Sequence, residues 1–202
     1  MTKVKVVLFD VDGVLTTHGE TFSSRYARER GVDYAPFRTF FQGEFQKALV
    51  GQADLKQLIA QHEDVWQTGG DIDGLLQRWF TSEDVRNEPL LQEVAKLRQA
   101  GMPCYLATNQ EKYRGEYITN TMFKGEFDGY FVSGVVGYKK PSHEFFIAAA
   151  SAIAENHPGV EPQDILFIDD SPEHIGGARE VGLNAHLYER VSQVRALAGV
   201  SD

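Results

Sequence analysis

Val6-Val7-Leu8-Phe9-Asp10-Val11-Asp12-Gly13-Val14-Leu15 joins a continuously apolar run to two carboxylates spaced two apart and a glycine. A run of that length with no polar alternation reads as a strand buried on both faces, as in a parallel sheet. In open parallel sheets ligands bind outside the carboxyl ends of the strands, which puts Asp10 and Asp12 at the mouth of a site. Two carboxylates so close repel each other and call for a cation beside them.

Outward from this stretch, short apolar runs recur at Pro103 to Ala107, Tyr130 to Val132, Ile165 to Ile168 and Ala185 to Leu187. Helical spacing separates them: Leu90, Leu91, Val94 and Leu97 form one stripe and Gly101 sits where a helix ends. Ser142 is placed to cap a helix holding Phe145, Phe146, Ala149 and Ile153, and Ser171-Pro172 to open another that closes near Gly182. This alternation predicts an α/β fold with a Rossmann-like, doubly wound parallel sheet.

About 70 residues lie between the first strand and the Leu90 helix, far more than the ~2 to 6 of an ordinary α/β connection. They carry their own helical stripes: Phe37, Phe40, Phe41 and Phe45; Leu55, Leu58 and Ile59; then Ile72, Leu75, Leu76, Trp79 and Phe80. The spacing predicts a small helical subdomain over residues 17–86, with residues 1–16 and 87–202 forming the α/β core.

Composition narrows the function. Twenty Lys plus Arg against 29 Asp plus Glu give a net charge of −9, and 42% hydrophobic with 24% charged residues is ordinary globular usage. The acidic balance and lack of a long basic run argue against a phosphate-tracking nucleic-acid binder or a membrane-surface helix. Residues 17–86 hold 11 acids and 8 bases, so −6 of the net charge falls on the core, where the acidic pairs lie. The single cysteine, Cys104, stands in an apolar run and is read as a core residue. No leader-like apolar stretch follows Met1, and no run approaches the ~18 residues of a membrane span, so a cytoplasmic location is expected.

A second acidic pair, Asp169-Asp170, ends the strand Leu166-Phe167-Ile168, and Thr108-Asn109 ends the strand containing Leu106-Ala107. Lys140, in Gly137-Tyr138-Lys139-Lys140-Pro141, can bring one positive charge to the same edge, although charge alone does not separate it from Lys139. In this order, Asp10-Val11-Asp12-Gly13-Val14, Thr108-Asn109, Lys140-Pro141 and Ile168-Asp169-Asp170-Ser171 resemble the four motifs of the haloacid dehalogenase-like (HAD) hydrolase superfamily, over nearly the whole chain. The helical insertion is similar to the cap of many members.

The resemblance implies a Mg2+-dependent hydrolase of small phosphomonoesters, sugar phosphates among the candidates. Asp10 would be the nucleophile that forms an aspartyl-phosphate, and Asp12 the acid and then the base. Asp10, the main-chain carbonyl of Asp12 and Asp170 would hold Mg2+, with Asp169 a further ligand or an acceptor beside it. Thr108, the backbone amide of Asn109 and Lys140 would bind the phosphoryl oxygens. A phosphomutase shares these motifs; a dehalogenase fits less well because such members generally lack the second aspartate. A receiver-like signalling protein or a phosphate-ligand binder are the non-enzyme readings. The expected partner is a small phosphorylated metabolite, with no nucleic acid or membrane, for a monomer or homodimer. His18, His62, His143, His157, His174 and His186 show no paired metal spacing and are read as surface or packing residues.

Overall fold

A computed structural model of the protein describes residues 3–17 and 19–200, so the reading of His18 lies outside the described residues. Five parallel strands, β1 (Val6–Phe9), β2 (Cys104–Thr108), β3 (Gly129–Val132), β4 (Ile165–Asp169) and β5 (Asn184–Leu187), lie in the order β3-β2-β1-β4-β5. Phe9 pairs with Leu106 of β2 and with Ile168 of β4, which brings the carboxyl ends of these strands level.

Every residue of β1, β2 and β4 is buried, which is why their sequences show no polar alternation. Side chains nevertheless alternate between faces. Val7, Phe9, Leu106 and Ile168 pack on α7 (Glu88–Gln99) and α12 (Val191–Ala198); Val6, Leu8, Tyr105 and Phe167 pack on α10 (His143–Asn156) and α11 (Pro172–Glu180). The sheet is covered on both sides, as predicted.

The predicted caps are present. Ser142 accepts from the Phe145 N–H and Ser171 from the His174 N–H, and past α7 the Met102 N–H donates to the Leu97 carbonyl around Gly101, whose φ is +80°. Short helices that periodicity does not announce complete the core: α8 (Lys112–Tyr117), which runs into a π-helical turn over Ile118–Met122, and α9 (Ser133–Val136).

Between β1 and α7 lie α1 (Phe22–Arg30), α2 (Ala35–Gln42), α3 (Phe45–Ala48), α4 (Leu55–Gln61), α5 (Glu63–Trp66) and α6 (Ile72–Ser82). They share a core of their own that includes Phe22, Tyr26, Phe37, Phe40, Trp66, Trp79 and Phe80. The expected continuous Phe37 to Phe45 stripe is broken: α2 ends at Gly43, and Phe45 opens α3. The chain enters and leaves this unit side by side, with the Thr17 N–H donating to Val85 O and the Asn87 N–H to Leu15 O, both 2.8 Å.

Helix α8 docks the insertion on the sheet layer. Arg114, buried, donates to Phe80 O at 2.7 Å, Tyr113 Oη to Asp54 at 2.6 Å and Tyr117 Oη to Asp84 at 2.9 Å. A closer approach occurs at Gly51, where φ is +70° and an added Cβ would stand 2.5 Å from Gly134 O. Gly51→Ala is therefore expected to cost about 1–3 kcal/mol, through the backbone clash and the left-handed φ. A lower urea midpoint at unchanged slope would show it; a midpoint equal to wild type would mean that the loop gives way. Among the described residues, no helix is long and apolar enough to cross a membrane.

Candidate active site

Asp10 extends the β1 ladder by donating its N–H to Ile168 O at 2.9 Å, so its carboxylate is delivered by the most buried strand of the sheet. Asp169 is the last residue of β4 beside it, and Lys140 arrives from the loop between α9 and α10. Lys140 Nζ donates to Asp10 Oδ1 and to Asp169 Oδ2, each at 2.6 Å. The three side chains are 8%, 0% and 1% exposed for Asp10, Asp169 and Lys140, so each charge depends on the others. Lys139 points elsewhere and donates to Gln46 of α3, which distinguishes the two lysines.

Local structure holds the ammonium in place. The Asn109 side chain brackets the Lys140 backbone, accepting its N–H and donating to its carbonyl, both at 2.8 Å. The Lys140-Pro141 peptide is cis, and α11 lies hard against this loop: a Cβ on Gly177 would stand 2.2 Å from the Pro141 oxygen. Only glycine permits that distance.

One ammonium does not balance the cluster. Burial pushes the Asp10 carboxyl up to about 7 against the pull of Lys140, and the charges of Asp169 and Asp12 push the same way. At Asp169 burial also acts to raise the carboxyl, but the His174 hydrogen bond and the Lys140 charge outweigh it and hold it below its usual range. Burial acts to lower Lys140, yet the two carboxylates prevail and hold it above the ordinary lysine range. Buried negative charge in excess of its one buried cation is the condition a bound metal ion relieves. Ligand atoms of Asp10, Asp169 and His174 come within 4.8 Å of one another.

The other expected residues stand around this trio. Asp12 is exposed; it accepts from the Gln110 side chain on one oxygen and from Thr16 Oγ1, at 3.4 Å, on the other. Asp170 is half-buried and lies outside the three-residue metal grouping. Thr108 is 1% exposed, and its Oγ1 is buried with no hydrogen-bond partner among the described residues. A hydroxyl is costly to bury in that condition, so its position at a strand end marks a place where an acceptor belongs.

His174 departs from the reading of the histidines as surface or packing residues: its Nδ1 lies 3.0 Å from both Asp169 oxygens, and the Ser171 N–H donates to Asp169 Oδ1 at 2.8 Å. Its place in the first turn of the helix that follows the acidic pair was the available signal. Gln110, directly after Thr108-Asn109, was also not foreseen. His62, His157 and His186 bond to Leu58 O, Tyr105 Oη and Asn184, as packing residues do.

A cavity of about 260 Å3 opens beside Asp12, between Thr16, Thr17, Glu20, Ser82 and Val85. A larger cavity, about 940 Å3, lies at the opposite end of the strands between Lys3, Gly101, Asn184 and Val200, and no carboxylate lines it.

The chain is similar to several known proteins. A chloroplast flavin mononucleotide hydrolase of Arabidopsis thaliana is 34% identical over 64 residues, 32% of this chain and 24% of that one, so the chain spans about a quarter of that relative's length. A sesquiterpene phosphatase of Aspergillus oryzae is 23% identical and is covered over 98% of both chains. A HAD family enzyme of Bacteroides thetaiotaomicron, solved with magnesium and inorganic phosphate, superposes with a TM-score of 0.70 at 20% identity, over 92% of this chain and 94% of that one. A dehalogenase solved as an intermediate complex gives a TM-score of 0.65 at 16% identity over the full length of both. Both likenesses are of fold. The haloacid dehalogenase-like hydrolase family matches residues 4–182, and with its ordered acidic strand ends around one buried lysine the chain belongs to that family.

Proposed function

We propose that the protein is a Mg2+-dependent phosphatase of small phosphomonoesters, with residues 17–86 as a cap over the site. The observation that carries this reading is the Asp10 carboxylate, 2.6 Å from the buried Lys140 ammonium, on the strand beside the unpartnered Thr108 hydroxyl. The magnesium–phosphate complex of the Bacteroides enzyme and the phosphatase among the relatives support it.

Asp10 attacks phosphorus; the bond from phosphorus to the ester oxygen breaks as Asp12 gives that oxygen its proton, releasing the alcohol. Water then attacks the aspartyl-phosphate, Asp12 takes the water proton, the bond to Asp10 breaks and phosphate leaves. Gln110 and Thr16, whose side chains donate to the two Asp12 oxygens, would hold its carboxyl in place for these transfers. Thr108 Oγ1, the Asn109 N–H and Lys140 Nζ meet the phosphoryl oxygens, where charge spreads during transfer.

Asp10, the Asp12 carbonyl and Asp170 would hold Mg2+, as the family resemblance implies. Asp169, which already accepts from Lys140, Ser171 and His174, would orient these groups. Mg2+ supplies positive charge that lowers the repulsion between Asp10 and the incoming phosphate.

Hydrolysis of 4-nitrophenyl phosphate is expected to fall at least ~100-fold in EDTA and to return with added Mg2+. Equal rates with and without chelator would refute the metal assignment. A panel of phosphorylated metabolites, with halogenated acids as controls, tests the activity itself. Halide release without phosphate release would favour a dehalogenase, and sugar phosphate interconversion a phosphomutase.

A further inference from the structure

The helical insertion contains a second cavity, of about 290 Å3, walled by Tyr34, Phe41 and Trp79 with Arg38 and Gln42 at its edge. Thr21 and Glu83 line both this cavity and the one beside Asp12, so the two adjoin. The cavity beside Asp12 thus carries the proposed general acid, and its neighbour an aromatic wall.

That wall is preorganised. Glu83 Oε1 accepts the Phe22 N–H at 2.7 Å and Oε2 accepts the Trp79 indole N–H at 2.9 Å. Trp79 is stacked between two rings, Phe22 at 5.8 Å and 9° and Trp66 at 5.9 Å and 20°, and Phe41 meets it edge-on at 5.5 Å. With its one N–H already used, the indole offers a ligand only a hydrocarbon surface. Arg38 is exposed, and among the described residues its guanidinium has no hydrogen-bond or ion-pair partner. An unpaired guanidinium at the mouth of an apolar pocket, in a chain of net charge −9, is a natural anchor for an acceptor on a ligand.

We propose that this cavity receives the leaving group of the phosphate ester, and that the group is a planar, largely apolar ring bearing a carboxylate or carbonyl remote from the phosphate, where Arg38 and Gln42 meet it. This rests on the phosphatase reading of the Asp10 site and replaces sugar phosphates as the favoured class. A hexose has apolar C–H faces but a rim of hydroxyls, and those of the rim turned toward Phe41 and Trp79 would lose their water without gaining a partner. A flat apolar ring has no such groups to leave unpaired and gains van der Waals contact with the wall.

Three primary-alcohol esters, chosen so that leaving-group reactivity is matched, decide the matter with Mg2+ present: 4-carboxybenzyl phosphate, benzyl phosphate and glucose 6-phosphate. The carboxybenzyl ester is expected to exceed glucose 6-phosphate in kcat/KM by at least about tenfold. Arg38→Gln should reduce the carboxybenzyl-to-benzyl ratio about tenfold, chiefly through KM. Arg38 is exposed, so its loss does not endanger folding.

A second readout needs no turnover. Both tryptophans of the chain, Trp66 and Trp79, belong to this aromatic cluster. Their emission should be quenched saturably by 4-(hydroxymethyl)benzoate, with a Kd raised about tenfold in Arg38→Gln, and unaffected by glucose. Preference for glucose 6-phosphate with no quenching by the benzoate would overturn the leaving-group assignment and leave the phosphatase reading intact. Saturable quenching with none of the esters hydrolysed would overturn the phosphatase reading while the ring-binding site stands.

Discussion

Asp10→Asn is expected to lower phosphomonoester hydrolysis by at least ~10^4-fold, a loss of about 5 kcal/mol in transition-state stabilisation. An amide oxygen is a poor nucleophile toward phosphorus, and Asp12, though close, is exposed and engaged by Gln110 and Thr16, so no second carboxylate takes over the attack. The fold should persist. The substitution keeps the side-chain shape at a position 6% exposed, leaves Lys140 paired with Asp169 at 2.6 Å, and removes one of the repelling carboxylates. Stability should stay within about 2 kcal/mol of wild type, since a buried charge is deleted while its partner keeps another. Circular dichroism, a urea titration and an aryl phosphate assay on one preparation test this. A folded variant retaining a tenth of the activity would sink the nucleophile assignment.

The second large effect is predicted at Lys140, where activity and stability should fall together. Lys140→Met removes the ammonium that both buried carboxylates share and fills its space with an uncharged chain of similar length. Asp10 and Asp169 then face each other across a site that excludes water, and breaking a buried pair in this way costs about 3–5 kcal/mol. Loss of one donor to the transferring phosphoryl group should reduce kcat by about 10^2–10^3-fold.

Mg2+ should restore part of the lost stability, because an ion that binds only the folded state stabilises it by mass action and supplies the missing charge. A thermal melt that rises more with Mg2+ for Lys140→Met than for wild type is the expected sign. Equal shifts would show that the ion and the ammonium do not act on the same carboxylates. Lys140→Arg should rescue poorly, since a planar fork does not fit a site 1% exposed and shaped for a point charge held by two single oxygens.

Much of the scaffold could be read from short stretches. The strands of the sheet are visible because β1, β2 and β4 are buried throughout, and the ends of α7, α10 and α11 because Gly101, Ser142 and Ser171 act within one turn of their own position. Helix α1 was less legible. Its sequence is polar on average, and Phe22 and Tyr26 pack against Trp79 and Trp66, which stand in helices far along the chain. The break between α2 and α3 was hidden for a similar reason: Phe45 continues the spacing of Phe40 and Phe41 while Gly43 ends the helix.

Placing charge at the end of an apolar strand is costly, so Asp10, Asp12, Asp169 and Asp170 stood out in the sequence alone, together with the family whose motif order they follow. Which of these acids are buried, which lysine reaches them, and which neighbours orient them depended on the fold. Asn109 braces Lys140 across 31 positions, Gln110 reaches Asp12 across 98, and Lys140 meets Asp10 across 130. Periodicity and caps are written within a turn or two of chain, so the sequence by itself determined the α/β scaffold and the residue types gathered at its strand ends. The partners of a buried charge are chosen by strand order, register and the close packing of α11 at Gly177, so only the tertiary structure decided the Asp10–Lys140–Asp169 cluster, the contact of His174 and the aromatic cavity of the insertion.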